Sequence, residues 1–119
     1  MINNVFVYRK SDNTTRTAAI QRAKIAATSS GDTTLQSAAD GYLYVVIDYA
    51  FTTDTDVAVK FIGGSTDISG LIKPGANGGV AASSPNGLME TGNNEALKIN
   101  LSGAAVVGGH YSYAKVPIA

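Results

Sequence analysis

The chain has 119 residues with no cysteine and no tryptophan, and nine basic residues balance nine acidic ones to a formal net charge of zero. The length fits one compact domain, and a neutral chain has no bulk field to attract nucleic acid or an anionic membrane. Without cysteine there is no disulfide scaffold, no cysteine-ligated zinc and no thiol nucleophile, and the polar residues after Tyr8 lead us to expect no signal peptide.

The first 18 residues differ in composition from the rest of the chain. Apolar residues at 5–8 are followed by a stretch at 9–16 that is too polar for a core strand. We therefore predict that residues 1–18 form an extended N-terminal arm, anchored locally or by a neighbour, because termini are loose unless they are tied down. The alternative is an ordinary edge strand and loop.

Basic residues are concentrated at this end of the chain. The first 24 residues contain five basic residues and one acidic residue, Asp12, so they carry a local charge of plus four. No aromatic residues alternate with them as a platform for nucleic-acid bases. We expect an electrostatic contact with an acidic protein surface, and the alternative is a solvated arm. The five residues are Arg9, Lys10, Arg16, Arg22 and Lys24.

Alternating strand patterns begin after this segment. Residues 19–28 favour a strand, with a helix as the minority alternative because alanine, glutamine, arginine and lysine are good helix formers. The clearest strand is 42–52, where apolar residues occupy both alternating faces. Such a strand is covered on both sides, either within its own domain or by a partner. The second face supplies the candidate subunit interface, Tyr42, Tyr44 and Val46.

Shorter strand patterns follow, separated by turns rich in glycine, asparagine, aspartate and serine. The polar turn after the clearest strand predicts a hairpin with the next one, and Gly108–Gly109 predicts a bulge or a close backbone approach. The patterns together predict an all-β fold, a jelly-roll-like antiparallel β-sandwich of about eight strands with residues 19–119 as a single domain. The later strands are predicted at 57–62, 68–73, 79–83, 88–90, 96–101 and 106–116.

Few side chains in the sequence are candidates for a catalytic, metal-binding or phosphate-binding site. His110 has no acid near it in the sequence, so a structural role is expected. The segment 54–56 starts like a calcium loop, but the glycine and the closing glutamate of that motif are missing. The glycine runs at 63–66 and 75–79 lack the lysine and the helix of a phosphate-binding loop. We predict no catalytic, cofactor-binding or metal-ligating residues, no cofactor and no enzymatic activity.

Five segments of the chain resemble a known group of proteins, and the resemblance spans roughly residues 24 to 116. The group comprises the small β-sandwich capsid decoration (cement) proteins of tailed bacteriophages and related virion surface components. The segments that carry it are KIAATSSGDTTL (24–35), FIGGSTDISG (61–70), ANGGV (76–80), ETGNNEALKINLS (90–102) and VGGHYSY (107–113).

The resemblance implies a structural virion protein on the capsid surface, made in the host cytoplasm. It would bind the major capsid protein of an HK97-fold shell as a homotrimer, with no nucleic-acid or membrane partner. The low share of charged residues, 15%, agrees with surfaces covered by other subunits. The alternative is a receptor- or glycan-binding head of a phage fibre or spike, which tyrosines within strands rather than loops disfavour. The arm lies outside the resemblance, and we predict from its own residues that it docks on the capsid through Val5, Phe6, Val7, Tyr8, Arg9, Lys10 and Arg16.

Overall fold

The structure, a computed structural model, describes residues 5–10 and 13–118. All the elements in these ranges are β-strands, of which eight have five residues or more and two have only two. Among the described residues, no helix is long and apolar enough to cross a membrane. The strands are β1 (Val5–Arg9), β2 (Thr15–Ala27), β3 (Gly31–Gln36), β4 (Tyr42–Thr53), β5 (Val59–Gly63), β6 (Thr66–Asp67), β7 (Gly78–Ser83), β8 (Met89–Glu90), β9 (Leu97–Leu101) and β10 (Val107–Pro117).

The strands form two antiparallel sheets packed face to face. One sheet has the order β1-β2-β10-β4-β7, with β8 beside β4, and the other has the order β3-β9-β5-β6. From β2 onward the chain crosses between the sheets at almost every connection, which is the arrangement of a jelly roll. The predicted jelly-roll-like sandwich of about eight strands is therefore confirmed, with β1 and β8 added to its first sheet.

The main core lies between the two sheets and consists of alternating apolar residues from both. Tyr111, Phe61 and Ile99 are fully buried in it. The hydroxyl of Tyr111 accepts a hydrogen bond from Gln36 Nε2 at 2.8 Å and donates one to the carbonyl oxygen of Leu35 at 3.3 Å. Burial raises the pKa of Tyr111, but the two bonds satisfy its polar end, so the ring contributes apolar area without an unpaired hydroxyl.

Strand β4 contains a β-bulge, and the residues that face the main core alternate differently before and after it. In the register with β10, Val46 and Asp48 pair with consecutive residues, so Ile47 is an extra residue. Before the bulge the even-numbered residues, such as Tyr44, face the main core, and after it the odd-numbered ones, such as Phe51, do so. Each of the two apolar faces predicted for this strand is therefore divided between the two sides of the sheet.

A second hydrophobic cluster lies on the outer side of the first sheet. Strand β1 pairs with the start of β2, from Val5 opposite Ala19 to Arg9 opposite Thr15. This hairpin packs over the outward side chains of β4 and β10 at one end of the sheet, which gives that end a third layer. The buried members of the cluster are Phe6, Leu43, Val45, Ile47, Ala114 and Val116.

The N-terminal segment thus differs from the extended arm that its composition predicts. Among its described residues, strand β1 is the edge strand of the alternative, and the predicted boundary between residues 18 and 19 lies inside the continuous strand β2. Residues 1–4 and 11–12 of the predicted arm lie outside the described residues. Phe6 supplies the physical reason, since it is 4% exposed and packs into the second cluster. Burying one such side chain stabilises the hairpin by about 2–3 kcal/mol. An unattached arm would leave the side chain in water and would not gain this free energy.

Strands β4 and β5 lie in different sheets and do not form the predicted hairpin. In the crossing between them, Asp54 Oδ1 accepts a hydrogen bond from the N–H of Val106 at 2.8 Å, and this bond holds the pKa of the Asp54 carboxyl below its usual range. The strand predicted at 68–73 is reduced to a single bridge between Val59 and Ile72.

Candidate functional site

Two of the three residues predicted for a subunit interface are buried within the chain itself. Val46 and Tyr44 are 0% and 4% exposed, and the Tyr44 hydroxyl donates to the carbonyl oxygen of Ser37 at 2.7 Å. The second sheet covers this face of β4, so it offers nothing to a partner subunit. Tyr42 is exposed, and Lys115 Nζ lies 4.7 Å from its ring centroid.

Strand β1 is the edge strand of the first sheet and has an exposed outer row. Val5 and Val7 are 47% and 60% exposed, whereas Phe6 between them is buried. The N–H of Lys10 donates to the carbonyl oxygen of Thr14 at 2.8 Å, which makes these two residues a hydrogen-bonded pair. Because such pairs alternate along an antiparallel ladder, the main-chain N–H and C=O groups of Val5, Val7 and Arg9 point away from β2.

A groove of about 450 Å³ runs along this free edge. We call it the edge groove; it is lined by Phe6, Val7, Tyr8 and Arg9 on one side and by Asn86 and Glu90 on the other. The residue after Asn86 is Gly87, which has a φ of 92° and whose position leaves no room for a Cβ, since that atom would lie 2.6 Å from Val45 Cγ1. This close approach lets the 86–90 segment lie against the sheet beside β1.

One hydrogen bond joins the two walls of the edge groove. The Tyr8 hydroxyl donates to Glu90 Oε2 at 2.6 Å. This bond, followed by burial and by the charge of the carboxylate, raises the pKa of Tyr8 to about 12. The bond thus links the β1–β2 hairpin to the 86–90 segment across the edge groove.

Of the five basic residues among the first 24, Arg9 lines the edge groove, where it is exposed, and the other four do not. Lys10 Nζ donates to the carbonyl oxygen of Ile118 at 3.0 Å, and Arg16 donates to the carbonyl oxygen of its neighbour Thr15 at 3.1 Å. The basic residues for which we predict a contact with an acidic protein surface are therefore spread along β1 and β2 rather than gathered in one patch.

The other half of the outer sheet surface has no third layer over it, and we call it the open face, although Ser112 within it is only 1% exposed. Its side chains form two rows that cross four strands in register. One row is Ser83, Asp48, Ser112 and Arg22, and the next is Ala81, Ala50, His110 and Lys24. Two shallow depressions of about 490 and 430 Å³ lie here and share Ala50, Ala81 and His110.

The alternation of β10 explains the composition of the open face. Tyr111 and Tyr113 point into the main core, so Ser112 and His110 point outward. Beyond the bulge, β4 likewise turns Tyr49 and Phe51 inward and leaves small or polar residues outside. Within the described residues, no three histidine, cysteine or acidic side chains gather in a way that could hold a metal ion.

Comparisons with known proteins add a fold similarity. No family model matches the chain, and no curated protein matches it. Among solved structures the chain is similar to the C-terminal CBM6 of LamC, a marine laminarinase from Zobellia galactanivorans, at 13% identity and a TM-score of 0.37, over 95% of this chain and 90% of that one. At this level of similarity nothing about activity or ligands passes from that domain to this chain.

Proposed function

We propose that the protein is a structural virion protein, a decoration protein that binds the outside of a phage capsid and strengthens the contacts between its capsomers. An extended segment of the major capsid protein would occupy the edge groove and pair with β1. The virion surface would be its location. The protein would act as a homotrimer, as the resemblance of residues 24–116 implies, and Tyr42 is the exposed member of the originally predicted interface.

The observation that carries this proposal is the free edge of β1. It combines unpaired main-chain groups with two exposed valines, Val5 and Val7, and an edge strand of that kind is a template for another strand. The edge groove beside it gives an added strand a second wall, at Asn86 and Glu90. Main-chain bonds would supply affinity, and the groove would supply selectivity.

Stabilisation of the shell would follow from mass action. A protein that binds the assembled shell and not its separated subunits favours assembly by RT ln(1 + [L]/Kd), about 2.7 kcal/mol per site when its concentration is 100 times Kd. Three linked docking strands would raise the apparent affinity further, because each later contact forms at the high effective concentration set by the first.

The test compares two substitutions at one position. Val7→Pro removes an N–H that points away from β2, so the β1–β2 ladder keeps its bonds while an added strand loses one. Val7→Thr keeps that N–H and is the matched control. Co-sedimentation with expanded shells of the phage that encodes the protein should fall roughly tenfold or more for Val7→Pro, given a loss of one main-chain bond and its neighbours, and stay near the original level for Val7→Thr.

Melting temperatures of both variants show whether the fold is kept. If Val7→Pro itself unfolds, Arg9→Pro repeats the test at the next outward-pointing position of β1. A folded proline variant that sediments with shells as well as the original protein would refute strand addition. Failure of the original protein to sediment with its shells would refute the decoration function itself.

A further inference from the structure

Strand β7 is an edge strand that lacks the usual protection against pairing with another chain. The first sheet ends at β1 and β7, and the second ends at β3 and β6. Soluble proteins protect such edges with charges, prolines, bulges or very short strands. Strand β6 has two residues, β3 carries Asp32 and β1 carries Arg9. In contrast, β7 has six residues, none of them charged or proline, and its register with β4 runs without a bulge.

The outer row of main-chain groups on β7 is unpaired. The N–H of Ser84, directly after the strand, donates to the carbonyl oxygen of Ile47 at 3.0 Å, so these two form a hydrogen-bonded pair. Because such pairs alternate along an antiparallel ladder, the N–H and C=O groups of Gly79, Ala81 and Ser83 point away from β4. In the part of the chain that the structure describes, no hydrogen bond reaches these groups.

The side chains of β7 leave this edge flat and accessible. Gly79, Ala81 and Ser83 are exposed on the side of the open face, and none of them is large enough to shield the main chain. Val80 points the other way, where it is half-buried and packs against the main core. A strand laid beside β7 would therefore continue the sheet without obstruction and would cover the remaining surface of Val80.

We infer that β7 pairs with β7 of a second copy of this chain, antiparallel and about a two-fold axis at Ala81. In this register Ala81 lies opposite itself, and Gly79 lies opposite Ser83 of the second copy. Each free N–H then meets a free C=O, in three pairs that exchange two bonds each, about six bonds in all. On the inner side, Val80 lies beside the smaller Ala82 of the second copy.

Charge and register favour a second copy over a foreign strand. A strand without charges places no like charges opposite each other when it pairs with itself. The nearest charge in register on the open face is Asp48 of β4. Across the axis the two Asp48 residues would be about 20 Å apart, from three strand spacings and four residues of rise, well beyond the Debye length of about 8 Å. Strand β7 offers no charge or large side chain to select another sequence, whereas its own free groups match in register.

This contact is separate from the proposed docking on a capsid. Strands β1 and β7 lie at opposite ends of the first sheet, so the edge groove stays free. A contact of one strand against one strand is small and belongs to the weak class of interfaces. We therefore expect it in solution at high concentration, and more strongly where copies are held side by side on a surface. Its two-fold symmetry also distinguishes it from the threefold contact implied by the resemblance.

A charge exchange at the two-fold axis tests the inference by analytical ultracentrifugation, from about 10 μM to about 1 mM protein. The mass of the original protein should rise up to about twofold with concentration. Ala81→Lys and Ala81→Glu each place like charges directly opposite each other, about 5.5 Å apart between Cα atoms, and should weaken association roughly tenfold or more. An equal mixture of the two variants should recover it. Ser83→Lys is the matched control, because its introduced charges would lie about 14 Å apart and should change little.

Proline variants separate the two edges of the sheet. Ala81→Pro removes an N–H that points away from β4, so the fold should be kept, as the melting temperature shows, while association is lost. Val7→Pro makes the same change in β1 and should leave association intact. If Ala81→Pro unfolds, the charge exchange alone decides. Equal masses of the original protein and both charged variants at every concentration, no recovery in their mixture, or loss of association with Val7→Pro would each overturn the inference.

Discussion

Replacing Phe6 with alanine tests whether the N-terminal hairpin is part of the folded domain. Phe6 is the buried side chain of β1, at 4% exposure, and it packs on the outward apolar side of β4 and β10. Its ring tip lies close to Gly87, where an added Cβ would be 3.6 Å from Phe6 Cζ. The side chain therefore joins the hairpin both to the sheet and to the 86–90 segment.

The expected loss of stability follows from this burial. A buried phenylalanine removes 150–250 Å² from water, and truncation to alanine in a packed cluster costs about 3–5 kcal/mol. We expect about 3 kcal/mol, at the lower end, because the hairpin is at the edge of the domain and can relax towards the cavity. For a domain of this size that lowers the melting temperature by about 10 °C.

Urea denaturation of Phe6→Ala measures the loss, with Val7→Ala as the control. Val7 is the next residue on the same strand and is 60% exposed, so its truncation should cost less than about 0.5 kcal/mol. Hydrogen exchange of the β1 and β2 amides locates the effect, since it should be concentrated in the hairpin. If Phe6→Ala leaves both the stability and the hydrogen-exchange protection of the hairpin unchanged, Phe6 does not anchor the hairpin. That result would favour the extended-arm prediction instead.

Two further predictions concern the sheet and the edge groove. Gly109→Ala should cost about 2 kcal/mol in urea denaturation because its Cβ would collide with the carbonyl oxygen of Ala50; Gly108→Ala, whose Cβ would meet nothing nearer than 3.9 Å, should cost nothing, and equal losses would contradict the close approach. Tyr8 has its pKa raised from 10.0 to about 12, so its hydrogen bond should contribute fully below pH 10 and be lost as the pH rises towards 12. Ultraviolet titration should therefore show a late-titrating tyrosine that Tyr8→Phe lacks, and an unchanged curve would contradict the bond.

Most of the sandwich could be predicted from the alternation of apolar residues. The strands at 42–52, 79–83, 96–101 and 106–116 were indicated within one or two residues of their observed ends, because each has turn residues on both sides. Pairing was harder. The polar turn after Thr52 resembles that of a hairpin, yet this turn carries the chain across to the other sheet, and a local pattern does not distinguish the two.

The candidate sites were less accessible to sequence reasoning, because they depend on which side each residue faces. Strand β4 is apolar on both sides, so the alternation of its residues does not show which face points into the core. Nothing in its composition marks the extra residue at Ile47. The sequence pattern therefore predicts a partner surface at Tyr44 and Val46, although the second sheet covers them. The polar stretch at 9–16 concealed a surface hairpin in the same way, since exposed strands tolerate polar residues.

The bulge also explains why the outer surface of the first sheet has a covered apolar part and an exposed polar part. Without an extra residue at Ile47, Tyr49 and Phe51 would continue on the outer side with Leu43, and the whole outer surface would be large and apolar. With it, the apolar part ends where the hairpin ends, and the part beyond carries the small and charged residues of the open face. A single inserted residue thus separates a surface that the chain must cover from one that it leaves exposed.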